Sequence, residues 1–323
     1  MQLIDAIGQA LAAAAAASDV IESPPRAGFG DGAPAAGVQL LDVHSDADHH
    51  RTVYTLAGRP GELADTLLRG AEVAVQRIDV MSRAPAAGSR QEQEQVQDPP
   101  GQHPHVGALD VAPVVYLSSR DRGAACAEAL VLADRIGLEL RVPVFLYGEI
   151  TADVADPRGV TRAELRRGGV RALAMRMSTD GNPQEPLSPD FGPARMHPTA
   201  GATLVAAREP LVAFNLRLSP PAAVADARAI AARIRDGGAE GLPGVRAIGI
   251  VVSGGSGQVS MNVERPLELP LARVIEAVQA HATVASAELV GLAPRAALAG
   301  FPEDVPLLGF DPARHVIENA LGS

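Results

Sequence analysis

Between Pro210 and Pro294 the spacing of apolar residues switches back and forth between a strand-like and a helix-like period, and that alternation leaves few folds open. "PLVAFNLRLS" (Pro210 to Ser219) is an apolar strand. Ser219-Pro220-Pro221 then opens a helix with Val224, Ala227, Ala231 and Ile234 on one face, and Gly237-Gly238 closes it. "VRAIGIVVS" (Val245 to Ser253) and "QVSMNVE" (Gln258 to Glu264) are strands joined by Gly254-Gly255-Ser256-Gly257. "SGGSGQ" has the glycines of a phosphate loop but lacks its Lys-Ser/Thr ending and runs into a strand, so it reads as a hairpin turn. A second helix follows Pro270, with Leu271, Val274, Ile275 and Val278 inward, and Ser286 to Pro294 is a last strand. The order β-α-β-β-α-β predicts a ferredoxin-like split βαβ unit.

The first half reads as the same unit without its opening strand. A helix is expected from about Gln2 to Ser18, and strands over Val38–Ser45 and Thr52–Gly58. A helix over Gly61–Val80, a strand over Gly107–Ser118, a helix over Ala124–Gly137 and a strand over Val142–Glu149 follow. The expected class is therefore α+β, with two ferredoxin-like (βαββαβ) subdomains, 1–208 and 209–323, the first lacking its opening strand. In the ferredoxin-like order that strand is central, and without it two sheet edges would carry unpaired N–H and C=O groups. The expectation is that the missing strand lies upstream of Met1. Two stretches read as loops: a Gln/Glu-rich insertion at 82–101 and an irregular segment from Ser178 to Pro193.

Composition narrows the chemistry. Only 3 % of the residues are aromatic and tryptophan is absent, so the core must be Val, Leu, Ile and Ala. The net charge is −10 and all 28 basic residues are arginine. An anion site here must use guanidinium forks, backbone N–H groups or histidine. An acidic chain without a basic block is a poor partner for nucleic acid or an anionic membrane. The single cysteine, Cys126, excludes an internal disulfide and a cysteine-cluster metal site, and it reads as a buried thiol on an apolar helix. The Ala-rich N-terminus lacks the positive start of a signal peptide and carries Asp5, so a helix is expected. With no run of about 18 apolar residues, these features together predict a soluble cytoplasmic protein.

Candidate sites cluster around the eight histidines. In "HPHVGALDV" His103 and His105 flank Pro104 just before a strand, and Gly107 allows a close backbone approach. Two readings stand for His103: a solvated turn histidine, or an imidazole held to transfer protons near its ordinary pKa of about 6.5. "HSDADHHRT" (His44 to Thr52) crowds three histidines and two aspartates but fits no standard zinc spacing, so no metal is expected. Its neighbour Arg51 is the better candidate, as a carboxylate anchor. "DFGPARMHPTAGATLVAAR" (Asp190 to Arg208) gathers glycines, prolines, Arg195, His197 and Arg208, and reads either as a linker or as the wall of a ligand cleft.

In collinear order, "LLDV", "RTVYTLAG", "HPHVGALDV", "VPVFLYGE", "DFGP", "HPTAGAT", "LVAFNLRL", "QVSMN" and "ELVGLAP" resemble the formimidoyltransferase family. The resemblance implies two ferredoxin-like halves and transfer of a formimidoyl group from N-formimidoyl-L-glutamate to tetrahydrofolate, a step of histidine breakdown. It implies His103 as catalytic acid–base and Gly192, Pro193, Ala194, Arg195, Met196, His197, Pro198, Thr199, Ala200 and Gly201 as the folate-contacting stretch. Arg51 and Arg208 are expected to clamp carboxylates of glutamate or the folate tail. Tetrahydrofolate enters as co-substrate, with no metal, only small-molecule partners and a homodimer. The alternatives are a catalytically decayed folate-binding relative and a formylglutamate-dependent formyltransferase. The first rests on departures such as His105 where the family has arginine, and His44 where it commonly has aspartate; the second rests on the likeness of the two donors.

Overall fold

A computed structural model describes residues 2–18, 37–82, 104–156, 159–178 and 186–322. In chain order its main elements are α1 (Gln2–Ser18), β1 (Gln39–Asp46), β2 (Arg51–Ala57), α2 (Leu63–Arg77), β3 (Val111–Val115) and α3 (Arg122–Glu139). They continue as β4 (Val144–Gly148), α4 (Arg162–Arg166), α5 (Gly169–Met177), β5 (Thr203–Arg208), β6 (Val212–Leu218), α6 (Val224–Ile234), β7 (Val245–Val251) and β8 (Gly257–Val263). The last are α7 (Leu271–Gln279), β9 (Val284–Val290), β10 (Leu307–Leu308), α8 (Pro312–His315) and α9 (Ile317–Ala320). The molecule is of mixed α+β type and divides into two compact units. The first contains α1 and the chain from Gly58 to Arg208; the second contains Leu40–Ala57 and the chain from Glu209 onward.

The first unit is built on a parallel sheet of order β3-β5-β4. Its central strand is β5, inside the stretch that reads from sequence as linker or cleft wall. Leu204 and Ala206 pack on one face with Val106, Phe145, Leu165 and Leu173. Val205 and Ala207 pack on the other against Leu132, Ala133 and Ile136 of α3. A parallel strand covered on both faces shows no polar alternation, so the period-two signal is absent from "TLVAAR". Glu128 of α3 ties the helices together: its Oε1 accepts the Ala64 N–H at 2.7 Å and its Oε2 accepts that of Gly61. These are donors at the start of α2, where Glu62 makes no side-chain cap. Helix α1 packs on α2 with Leu11 over Gly70, where a Cβ would stand 2.4 Å from Leu11 Cδ2.

This arrangement corrects the expected first half. The strands β1 and β2 form a two-stranded sheet of their own, while β5, which the sequence did not mark as a strand, pairs in parallel with both β3 and β4, so the three-stranded sheet does not have the ferredoxin-like order. The hairpin groups with the second unit through polar anchors. The Asp48 carboxylate accepts both the N–H and the hydroxyl of Ser253, at 2.9 and 2.5 Å, and His49 Nε2 lies 3.2 Å from Gln258 Nε2.

The second unit has the strand order β10-β9-β6-β8-β7. The four strands β9-β6-β8-β7 are antiparallel, as the split βαβ pattern requires, and β10 adds to β9 in parallel. Ala227, Ile230, Ala231 and Ile234 of α6 and Leu271, Val274, Ile275 and Val278 of α7 are buried against Phe214, Leu216, Val259 and Met261. "SGGSGQ" is the expected turn, closed by the Val252 N–H on the Ser256 carbonyl at 3.0 Å.

Candidate functional site

At the amino-terminal edge of the parallel sheet, two segments are stitched by their backbones. Gly107 bridges Gly201 in the antiparallel sense. The Ala202 N–H donates to the Val106 carbonyl at 2.9 Å, and the Ala108 N–H to the Ala200 carbonyl at 2.8 Å. The approach needs glycine: a Cβ on Gly107 would stand 1.9 Å from the Ala202 oxygen. Gly201, at φ +75°, faces the Val106 carbonyl, from which an added Cβ would be 2.4 Å. Asp110 holds the first segment from behind, accepting the Val106 N–H at 2.9 Å on Oδ1 and pairing with Arg166 through Oδ2. Burial pulls the Arg166 guanidinium below its usual range, and the Asp110 charge opposes that shift.

The second segment is pinned along its length. Asp190 accepts the Leu146 N–H on its carboxylate at 2.7 Å, and the Val144 N–H donates to the Phe191 carbonyl at 2.9 Å. Gly192, at φ +82°, sits against Gly137 of α3. The Thr199 carbonyl accepts the N–H groups of Val80 and Met81 at 2.9 and 3.3 Å. Ala194, Arg195 and Pro198 stay exposed, while Ala200 and Gly201 are buried, so a turn with one guanidinium at its surface projects from a fixed base.

His197 is half-buried in this turn, and its Nδ1 accepts the Ala200 N–H at 3.0 Å and the Thr199 N–H at 3.4 Å. Those bonds assign the ring proton to Nε2, which makes the neutral imidazole a donor there. Desolvation lowers its pKa from the ordinary 6.5, so it is uncharged at neutral pH. With its acceptor nitrogen occupied, His197 can orient a ligand but is poorly placed to take a proton from one.

The remaining expected residues fall elsewhere. His103 and the insertion at 82–101 lie outside the described residues, apart from Ser82. Arg208 ends β5 at the opposite edge of the sheet, about 16 Å along the strand from Thr203. There the Tyr116 N–H donates to its carbonyl at 3.2 Å. Arg51 opens β2 in the second unit. The sheet therefore does not gather Arg208 with the 192–201 turn. Beside Arg208's strand end, Tyr116 Oη and Arg122 Nε each donate to Glu149, both at 2.5 Å, a cluster that sequence reasoning missed because its members are far apart in the chain. Cys126, expected to be buried, is half-buried. Among the described residues no group of three His, Cys, Asp or Glu side chains could hold a metal ion, and no helix is long and apolar enough to cross a membrane.

Residues 14–208 match the family described as the formiminotransferase domain, N-terminal subdomain. The chain is 32 % identical over 292 residues to a glutamate formimidoyltransferase of Streptococcus pyogenes serotype M1, covering 88 % of this chain and 89 % of that protein. It is 29 % identical over 268 residues to a glutamate formimidoyltransferase of Thermoplasma acidophilum, covering 81 % and 80 %. Against a formimidoyltransferase-cyclodeaminase of Sus scrofa it is 38 % identical over 184 residues, which are 56 % of this chain and 29 % of that longer protein.

Proposed function

Since the chain belongs to the formiminotransferase family, we propose that it transfers the formimidoyl group of N-formimidoyl-L-glutamate to tetrahydrofolate in histidine degradation. On this reading residues 1–208 and 209–323 are its two subdomains. His103 is the acid–base, Gly192–Gly201 holds the folate, and Arg51 and Arg208 hold carboxylates. The observation that carries the reading is the Gly107–Gly201 bridge, with the backbone bonds beside it. It anchors the segment that begins at Pro104, the residue after His103, to the 192–201 turn.

In the reaction an amine nitrogen of tetrahydrofolate attacks the formimidoyl carbon. The tetrahedral adduct then expels the glutamate nitrogen. One proton must leave the attacking nitrogen and one must reach the departing nitrogen, so a single imidazole can serve both in turn, typically worth ~10²–10⁴-fold. His197 is not that group, because its Nδ1 is held by backbone donors; as an Nε2–H donor it is suited to orient the co-substrate. The exposed Arg195 adds a guanidinium fork for an anionic part of the folate.

The test is a transfer assay with N-formimidoyl-L-glutamate and tetrahydrofolate. The wild-type chain is expected to form the formimidoylated folate, and His103→Ala to lose at least ~10²-fold in kcat. A folded wild-type chain without transfer, or a His103→Ala variant with full activity, overturns the reading. The same reading carries a homodimer in the cytoplasm, for which sedimentation should give twice the 33.3 kDa chain mass.

A further inference from the structure

The second unit contains a pocket that the proposed chemistry leaves without a role. It lies where β1, β9, β10 and the end of α8 meet, has a volume of about 240 Å³, and is lined by His44, Glu288, Leu289, Leu308, Phe310 and His315. That is room for a small organic group rather than a single water. Glu288 Oε2 is occupied by Asn215 Nδ2 at 3.0 Å. Its other oxygen, Oε1, faces His44 Nε2 at 3.7 Å, too far for a hydrogen bond. His44 Nε2 is itself buried and has no hydrogen-bond partner. A buried nitrogen without a hydrogen-bond partner is unfavourable, and an N–H from a bound molecule or a water would satisfy it.

Across the pocket stand two rings and a leucine. Phe310 stacks on His315, with ring centroids 5.9 Å apart and planes at 30°, and Leu308 is 56 % exposed. Asp42, two residues before His44 on the same face of β1, is buried with Oδ1 3.5 Å from Arg314 Nη2 and 3.9 Å from His315 Nε2. The Asp311 N–H donates to His315 Nδ1 at 2.8 Å, so His315 presents its proton towards Asp42. Arg314 answers the Asp42 charge, and Glu288 is the carboxylate of the lining itself.

We propose that this pocket binds a planar cation of the amidinium or guanidinium class. Glu288 Oε1 can accept one N–H of such a fork, and His44 Nε2, in the Nδ1–H tautomer of its ring, can accept a second 3.7 Å away. The Phe310 and His315 rings offer a face to its plane. An anion is opposed by Glu288, and a metal ion finds no third ligand among the described residues. The amidinium could come from the formimidoyl group of the donor, which rests on the function proposed above, or from a separate solute, which does not.

The test uses the full chain and benzamidine as probe, in a ligand-observed NMR titration. Glu288→Gln and Phe310→Ala are each expected to weaken binding by about tenfold or more. The glutamine keeps a carbonyl for Asn215, and a thermal melt by circular dichroism verifies that both variants fold. Competition by N-formimidoyl-L-glutamate assigns the pocket to the donor, and undisturbed benzamidine binding assigns it to a separate solute. No benzamidine binding, or equal affinity in Glu288→Gln, overturns the proposal. Glu288-dependent binding in a chain without formimidoyl transfer would sink the transfer reading and leave this one standing.

Discussion

Gly107 is the residue on which the candidate site most depends. A methyl group there would meet the carbonyl oxygens of Ala202 and Ala200 at 1.9 and 2.7 Å, and neither backbone atom can move without opening the bridge to Gly201. Gly107→Ala is expected to cost about 2–4 kcal/mol, read as a lower urea midpoint. Gly61→Ala is the control: φ is +90° but nothing lies within 4 Å, so only backbone strain of about 1–2 kcal/mol is expected. Equal midpoints for the two variants would show that the close approach does not constrain Gly107. His197 adds a pH signature. Burial lowers its pKa in the folded chain from 6.5, so the unfolded chain binds its proton more readily. Its contribution is therefore complete above about pH 6.5 and is lost as the pH falls through the lowered folded-state value. In His197→Asn an amide oxygen stands in for Nδ1 and does not titrate. Urea midpoints measured from pH 8 to pH 5 should fall more steeply for the wild type, and parallel curves would refute the assignment. From sequence, the glycine and the histidine were both visible as candidates. The acceptor role of Nδ1 was not, since it depends on how the turn folds back on the ring.

Helix α2 begins without help from its own N-cap residue, and the carboxylate of Glu128, more than sixty residues later, accepts its first donors. A buried acceptor of this kind is worth about 1–3 kcal/mol. Glu128→Ala should lower the unfolding free energy by that amount, and Glu128→Gln, which retains one acceptor, by less. If both variants unfold like the wild type, α2 does not need the cap. The strands divide in the same way between local and distant causes. In β6, β7, β8 and β9 the flanking turns and helices carry clear punctuation, and those elements were legible in the sequence. The central strand β5 was not, because "TLVAAR" is buried on both faces and shows no alternation. The hairpin was legible as a strand pair, but its partners were not, because the Asp48–Ser253 contact spans 205 residues.

At the scale of the whole chain, each unit has its own hydrophobic core. Leu132 is fully buried in the first, and Leu132→Ala should cost about 2–5 kcal/mol. Native-state hydrogen exchange should quicken for β3, β4 and β5, while amides of β6, β8 and β9 keep their rates. Uniform acceleration would show instead that the cores open together. The sequence by itself determined the α+β class, the βαββαβ order of the C-terminal unit, the family, and the restriction of anion contacts to arginine, backbone and histidine. The family follows from the resemblance of its collinear motifs, and the rest from residue type and from spacing within a few residues, which set helix and strand periods directly. Only the tertiary structure decided that β5 is central, that the hairpin belongs with the second unit, that Glu128 caps α2, and that His44 and Glu288 share a pocket. Each of these depends on pairing across long stretches of chain, where burial on two faces or a partner far away in sequence leaves no local pattern to read.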